Sequence, residues 1–372
     1  MAKVVENAVC TFCGCLCDDI TVEVEGNAVS QVRRTCANGR GVFMHYDPAP
    51  RQPTVRGEEV TWGEAVEEAA TILSEAHSPL IYGLSSTASE AQRKCVALAD
   101  YLGAVIDTTS SVCHGPTGLA MQAVGEPTCT LGEVRNRADL LVFWGCNPAA
   151  AHMRHFNRYS VTARGRLTPN GKRDRTTVVV DVRPTASTRI ADQFLQVELG
   201  SDFEVLTTLL AFVQGKGDRL TAEEVGGVPM AELEALAEHM MSCRFGVAFM
   251  GMGLTHTPGQ DLTVSELFKL VAALNDHTRF SVIPMRGHGN VAGADQVMSW
   301  QSGYPFAVSF ARGYPVYGPG EFSAVDVLAR QEADAALILA SDPVAHFPRN
   351  AARQLERIPV IVLDPMSSMT TE

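Results

Sequence analysis

Five of the ten cysteines fall in the first 36 residues: Cys10, Cys13, Cys15, Cys17 and Cys36. Cys10, Cys13 and Cys17 read C-x2-C-x3-C, and Cys36 follows after 18 residues. Three thiolates within one short turn can wrap one face of a small inorganic cluster, and a distant fourth can close it. A cubane [4Fe–4S] cluster is held in this way. Zinc also accepts four thiolates, but structural zinc sites usually pair two C-x2-C knuckles, and here the second is missing. Burial as plain core thiols is the third reading. Cys15 lies between the ligands and is expected to be a spare. Cys95, Cys129 and Cys243 read as small core residues. Cys113 and Cys146 stand apart, because each follows an apolar run in a loop.

The elements that must position these residues can be read from periodicity. Residues 19–32 alternate apolar and polar around Gly26-Asn27, a hairpin signal. The cysteines therefore precede a small antiparallel sheet, and Cys36 returns just after it. Residues 47–56 hold three prolines and read as a linker. Thr61-Trp62-Gly63-Glu64 is a capping-box pattern that opens a helix running to about Ala76. Seven short apolar runs follow: Pro79–Leu84, Leu140–Gly145, Thr177–Val182, Val247–Gly253, Phe280–Pro284, Ala335–Ala340 and Pro359–Asp364. Strands rich in Val, Ile and Leu that alternate with helical stretches predict an α/β fold of parallel sheets, here two doubly wound domains.

Ligands of such sheets bind at the carboxyl ends of the strands. The candidates there are Gly83, Ser85, Cys146, Asn147, Asp181, Thr185, Gly251, Gly253, Arg286, Ser341 and Asp342. Any one of them alone could be an ordinary turn residue. Together they suit a large nucleotide-like ligand. No G-x-G-x-x-G follows the first strand and no P-loop is present, which disfavours ordinary NAD or nucleoside triphosphate binding.

Composition sets the outer limits. The chain has 372 residues, 46% hydrophobic and 19% charged, which is ordinary for a globular protein of two or three domains. Its 42 acidic and 30 basic residues give a net charge of −12, which argues against a nucleic-acid surface. There is no apolar run long enough to span a membrane and no signal-peptide pattern, so the expected location is the cytoplasm. In that compartment cysteines are read first as metal ligands, catalytic groups or thiols.

The N-terminal cysteine pattern followed by doubly wound domains resembles the molybdopterin and tungstopterin oxidoreductases, among them formate dehydrogenases. Cys10-Thr-Phe-Cys-Gly-Cys-Leu-Cys-Asp-Asp-Ile resembles more closely the catalytic B subunits of formylmethanofuran dehydrogenases. So do Ser111-Val-Cys-His-Gly-Pro-Thr, Trp144-Gly-Cys-Asn-Pro, Asp181-Val-Arg-Pro-Thr, Gly200-Ser-Asp, Met285-Arg-Gly-His-Gly-Asn-Val and Ser341-Asp-Pro-Val-Ala-His-Phe-Pro. The resemblance runs over nearly the whole chain.

That resemblance implies a tungsten or molybdenum centre bound by two pyranopterin guanine dinucleotides, with Cys113 as the protein ligand. A soft thiolate suits such a metal. It implies His114 as a proton carrier and Arg286 as the group that orients a carboxylate, with His288 in support. Gly83, Ser85, Asn147, Asp181, Thr185, Asp202, Gly253, Ser341 and Asp342 are expected to contact the pterin dinucleotides. Cys10, Cys13, Cys17 and Cys36 would hold the [4Fe–4S] cluster. Many relatives carry Lys or Arg two positions after the fourth cluster cysteine. Here Asn38 stands there and Arg40 is the nearby cation. The reaction implied is reduction of CO2 to formate.

The expected domains are 1–55 for the cluster, 56–140 with 315–372 as a first pterin-binding domain, and 141–314 as the second. The C-terminal barrel of typical relatives is expected on a separate subunit, so partners are expected: an amidohydrolase-type subunit, a barrel-domain subunit, and polyferredoxin or ferredoxin-like subunits. Two other readings stay open, a cofactor-free scaffold subunit of a bacterial formyltransferase/hydrolase complex and a formate dehydrogenase-type subunit. An electron-transfer module alone would leave two large domains without a task.

Overall fold

The computed structural model describes residues 3–46 and 52–371. The first half of the expected proline-rich linker lies outside them. The chain divides into two compact units, one formed by residues 1–112 with 288–372 and one by residues 113–287.

The first unit begins with a three-stranded antiparallel sheet, Lys3–Ala8, Ile20–Glu25 and Ala28–Arg33 in that order. The last two strands are the expected hairpin. Its main sheet has six strands. Four are parallel, in the spatial order Val105–Thr108, Pro79–Gly83, Ala335–Leu339, Val360–Leu363. Val308–Ser309 and Val316–Tyr317 extend the sheet antiparallel beyond Val105–Thr108. Alternation sends Ile81, Ile106, Leu337 and Leu339 into one apolar cluster, with Val96 and Ala99 of the helix Ser89–Leu102. Leu80, Tyr82, Ala336 and Ile338 enter the other, with Val327 and Leu328 of the helix Ala324–Ala329. A strand buried on both faces must be apolar at every position, which is why these runs stood out in the sequence.

The second unit holds a five-stranded, all-parallel sheet in the spatial order Gln193–Gln196, Thr176–Asp181, Leu140–Trp144, Gly246–Met250, Phe280–Pro284. Counted along the chain this is 3-2-1-4-5, the doubly wound order. Val142, Trp144, Val178 and Met250 pack into one cluster beneath the helices Asp202–Val213, Met230–Ser242 and Gln260–Leu274. Phe143, Val179 and Phe249 form the core of the other face.

The unit boundaries fall at 112/113 and 287/288, where the sequence pattern places domain limits at 140/141 and 314/315. Helix packing accounts for the difference. Gly115–Val124 lies against Gln260–Leu274 in the second unit, and Val291–Ser302 lies against Ser89–Leu102 in the first.

Candidate active site

In the second unit, Cys113 lies in the turn that leads into the helix Gly115–Val124, with His114 as N-cap and proline in the first turn. Proline is tolerated there because its missing N–H has no partner to lose. The His114 carbonyl accepts from the amides of Thr117 (3.0 Å) and Gly118 (3.3 Å). The Thr255 hydroxyl donates to the Cys113 carbonyl at 3.0 Å from 142 residues away. Local helix geometry and a distant loop thus fix the backbone that carries the thiol.

His114 is 1% exposed. Its Nδ1 lies 3.1 Å from the Thr117 hydroxyl, and its buried Nε2 meets no hydrogen-bond partner in good geometry. Burial pushes the imidazole down to about 3, and the charges of Arg286, His256 and His152 push the same way. A hydrogen bond to the Met285 backbone pulls in the other direction but is outweighed. The ring is therefore neutral at pH 7. Arg286 follows the strand Phe280–Pro284 and stands close enough to act on His114. Its own carbonyl lies 2.7 Å from Nε2 of His152, a buried ring that steadies the turn. The three expected catalytic residues are thereby brought into one neighbourhood.

Several residues there escaped the sequence analysis: Thr255, His256, His152 and Glu126. Glu126 has its Oε1 buried and without a hydrogen-bond partner. Burial raises its carboxyl to about 7, with Arg286 acting against the rise. A glutamate between glycine and proline looks like a loop residue, and no local signal announces its burial.

The sheet of the second unit changes its direction of growth between Leu140–Trp144 and Gly246–Met250, and the loops after these strands touch backbone to backbone. The amide of Gly251 donates to Trp144 (3.0 Å) and that of Gly253 to Gly145 (3.0 Å). A Cβ on Gly253 would lie 2.6 Å from Cα of Gly145. Asn147 accepts from Ser187 at 2.8 Å, and the Thr185 hydroxyl accepts from the Ser187 amide at 3.3 Å. Asp181 ends the neighbouring strand, its carboxyl raised by burial. Asp202 is engaged within the fold, accepting from the indole N–H of Trp144 at 2.7 Å, while burial raises its carboxyl. Cys146 directs its thiol to the Phe249 carbonyl at 3.5 Å.

In the first unit the corresponding crossover lies between Pro79–Gly83 and Ala335–Leu339. Gly83 has φ +119°, and a Cβ there would stand 2.1 Å from the Leu339 carbonyl oxygen. Leu84 (φ 69°), Ser86 (φ 56°) and Ala340 (φ 44°) are left-handed without being glycine. Such strain concentrates where a ligand is held. Ser85 is buried beside them. Asp342 accepts from the Thr370 hydroxyl (2.6 Å) and from the amides of Thr370 (3.0 Å) and Met369 (3.1 Å). Burial alone would raise its carboxyl, but these hydrogen bonds outweigh it and lower it. His288 packs edge-on to His346 at 6.4 Å, and burial holds it below its ordinary range.

Cys10, Cys13, Cys15 and Cys17 are all buried. The Cys10 amide donates to the Cys17 carbonyl at 2.8 Å and closes the loop. Cys36 caps the helix Ala37–Met44, its sulfur accepting from the Gly39 amide at 3.5 Å. A Cβ on Gly39 would lie 3.0 Å from the Cys10 sulfur and 3.8 Å from the Cys36 sulfur, so glycine keeps the space between them open. Cys15 is grouped with the other sulfurs. A hydrogen bond with Cys13 and burial raise its thiol strongly, and the fields of Cys13, Cys17 and Cys36 add to the rise. Thiolates this crowded repel one another unless positive iron sits among them. Among the described residues no three His, Cys, Asp or Glu side chains converge as a site for one metal ion. The buried cysteine loop and the space kept open by Gly39 suit a thiolate-held metal group, and the glycine-lined crossovers suit an extended phosphate-bearing ligand.

No family model matches the chain. It is 46% identical over 380 residues to the B subunit of the tungsten-containing formylmethanofuran dehydrogenase 2 of Methanocaldococcus jannaschii, covering 100% of this chain and 87% of that protein. It is 44% identical to the protein of the same name from Methanococcus maripaludis, over 98% of this chain and 85% of that one. A solved structure, the formyltransferase/hydrolase complex of Methylorubrum extorquens with methylofuran, superposes with a TM-score of 0.66 at 26% identity, covering 83% of this chain and 80% of that chain. Identity at this level over nearly the full length of two such relatives decides the family: the chain belongs to the formylmethanofuran dehydrogenase B subunits.

Proposed function

We propose that this chain is the catalytic subunit of a formylmethanofuran dehydrogenase, reducing CO2 to formate at a tungsten or molybdenum centre. The metal would be held by Cys113 and two pyranopterin guanine dinucleotides, and a [4Fe–4S] cluster on Cys10, Cys13, Cys17 and Cys36 would connect it to electron donors. The reaction takes CO2, two electrons and one proton to formate. When bound, the metal and its pterins supply the two-electron redox chemistry.

The chain's own residues bind, orient and move the proton. The Cys113 thiolate supplies a soft donor on a backbone pinned by Thr255. Arg286 offers a planar guanidinium to a carboxylate. Neutral His114 has one ring nitrogen beside the Thr117 hydroxyl, and its buried Nε2 would take or give the proton. Backbone amides of the crossover turns would receive the pyrophosphates.

The observation that carries this reading is the buried Nε2 of His114 beside Cys113 and within the field of Arg286. Formate would pass to an amidohydrolase-type partner for condensation with methanofuran. Barrel-domain and ferredoxin-like subunits would complete a cytoplasmic complex. No helix among the described residues is long and apolar enough to cross a membrane.

The test is analysis of the anoxically purified complex for metals and acid-released GMP. About four Fe, about one W or Mo and about two GMP per chain are expected. A folded complex lacking all of them would overturn the proposal in favour of a scaffold role. The structural likeness to the formyltransferase/hydrolase complex makes that the second reading.

A further inference from the structure

Glu126 is placed by long-range pairing. The residues after the helix Gly115–Val124 run beside the edge strand Phe280–Pro284, where the Val282 amide donates to the Pro127 carbonyl (2.8 Å) and the Thr128 hydroxyl to the Val282 carbonyl (2.8 Å). Cys129 faces Ser281 at one side of this pairing. Glu126 therefore lies on the other side, toward Pro284 and the turn that carries Arg286. The strand it pairs with and the helix before it carry no ionisable residue. The charged group acting on Glu126 is Arg286, which also acts on His114, a ring that feels His152 and His256 as well.

Glu126 thus lies within the field of the guanidinium that the proposed function assigns to the carboxylate the reaction makes or consumes. Two ionised carboxylates at a shared buried site repel strongly, and the system answers by protonating one of them. We propose that Glu126 competes with the substrate carboxylate for Arg286, so that binding of formate is coupled to uptake of a proton by Glu126. The inference rests on the proposed function, because it needs a carboxylate at Arg286.

Several observations support it. Oε1 of Glu126 is buried and unsatisfied, as expected of a carboxyl that changes partner or charge during a cycle. Its carboxyl is raised to about 7, so the proton is exchangeable at neutral pH. Coupling is reciprocal: the proton that formate draws in must in turn tighten formate. Release of formate would return Glu126 to the ionised form, which leaves a counter-charge near Arg286 between turnovers.

The test uses the anoxically purified complex with its partner subunits. Binding of 13C-formate is measured by NMR line broadening at pH 6, 7 and 8, alongside dye-linked formate oxidation. The apparent Kd should rise with pH above about 7, approaching tenfold per unit. Glu126→Gln should abolish that slope and bind at pH 8 as the unaltered complex binds at pH 6. A flat profile in the unaltered complex, or an unchanged slope in Glu126→Gln, overturns the proposal. Should Glu126→Gln fail to assemble, Glu126→Asp decides: its slope must persist with a displaced midpoint, and an unmoved midpoint overturns the coupling. A metal-loaded complex that neither binds nor oxidises formate at any pH overturns the parent function, a result distinct from flat but measurable binding.

Discussion

The two parallel sheets reach their crossovers by different means. In the first unit the crossover holds backbone under strain: Leu84, Ser86 and Ala340, none of them glycine, are left-handed around Gly83. In the second unit the crossover is relaxed glycine-on-glycine packing, and the ionisable groups collect nearby: Cys113, His114, Glu126 and Arg286. The same doubly wound plan therefore yields a shaped cradle in one unit and a chemical centre in the other. Topology specifies where a ligand goes, and side chains decide what happens to it.

The largest expected effect falls on the chemical centre. Cys113→Ser should lower formate oxidation by at least about 10³-fold while leaving the iron content of the complex unchanged. Equal loss of iron would mean that Cys113 holds the fold rather than the reaction.

The cradle should respond in stability instead. Gly83→Ala forces a Cβ to 2.1 Å from the Leu339 oxygen at a φ few residues adopt. We expect a loss of about 3 kcal/mol in denaturant unfolding, with GMP content falling in parallel. Normal stability with normal GMP would erase the contrast between the crossovers.

A third expectation concerns acid. His155 is buried against Phe143 and Phe249, and burial, aided by the charge of His152, pushes it down to about 3. Between pH 6.5 and 3 the unfolded chain binds a proton here that the folded chain refuses. Its contribution is full above pH 6.5 and is lost as pH falls. In the first unit Asp107 behaves oppositely. Burial lifts it to about 6 despite hydrogen bonds from Ala324, Ser111, Ala307 and Thr108, so folding gains stability as pH falls from 6 toward 4. Glu126 also gains in acid. The His155 part is therefore read as a difference: at pH 5, His155→Phe should be more stable relative to the unaltered chain than at pH 7.5, by about 2 kcal/mol. Hydrogen exchange resolved by strand would check it, and no pH-dependent difference would refute it.

The smallest effect separates a brace from a ligand contact. Asp202→Asn keeps an oxygen for the Trp144 indole and should cost about 1 kcal/mol or less, whereas Asp202→Ala should cost about 2 kcal/mol. Loss of GMP in Asp202→Asn would instead put its carboxylate on the cofactor.

All seven apolar runs appear as strands, most of them buried on both faces; Val360–Leu363, at the sheet edge, is only partly buried. Two of the parallel strands were not legible. Val105–Thr108 carries Asp107, a polar residue whose burial is met by four donors, two of them, Ala307 and Ala324, about 200 residues away. Gln193–Gln196 is an edge strand with two apolar residues between glutamines. The candidate site divides in the same way. Cys113, His114 and Arg286 stand in recognisable motifs, whereas His152 and Glu126 acquire their roles from partners 134 residues or more away in the chain.

The brace at Asp107 also bears on the order of synthesis. Its carboxylate receives the Ala324 amide 217 residues later, and the Asp334 carboxylate receives the His77 amide across 257. A ribosome adding about 5–20 residues per second completes the inserted unit, residues 113–287, well before the outer unit's last strands emerge. Pro79–Gly83 must wait as an apolar strand with one open edge until Ala335–Leu339 arrives. During that interval the nascent chain carries a finished domain on an unfinished one, and its vulnerability to aggregation lies in the older half.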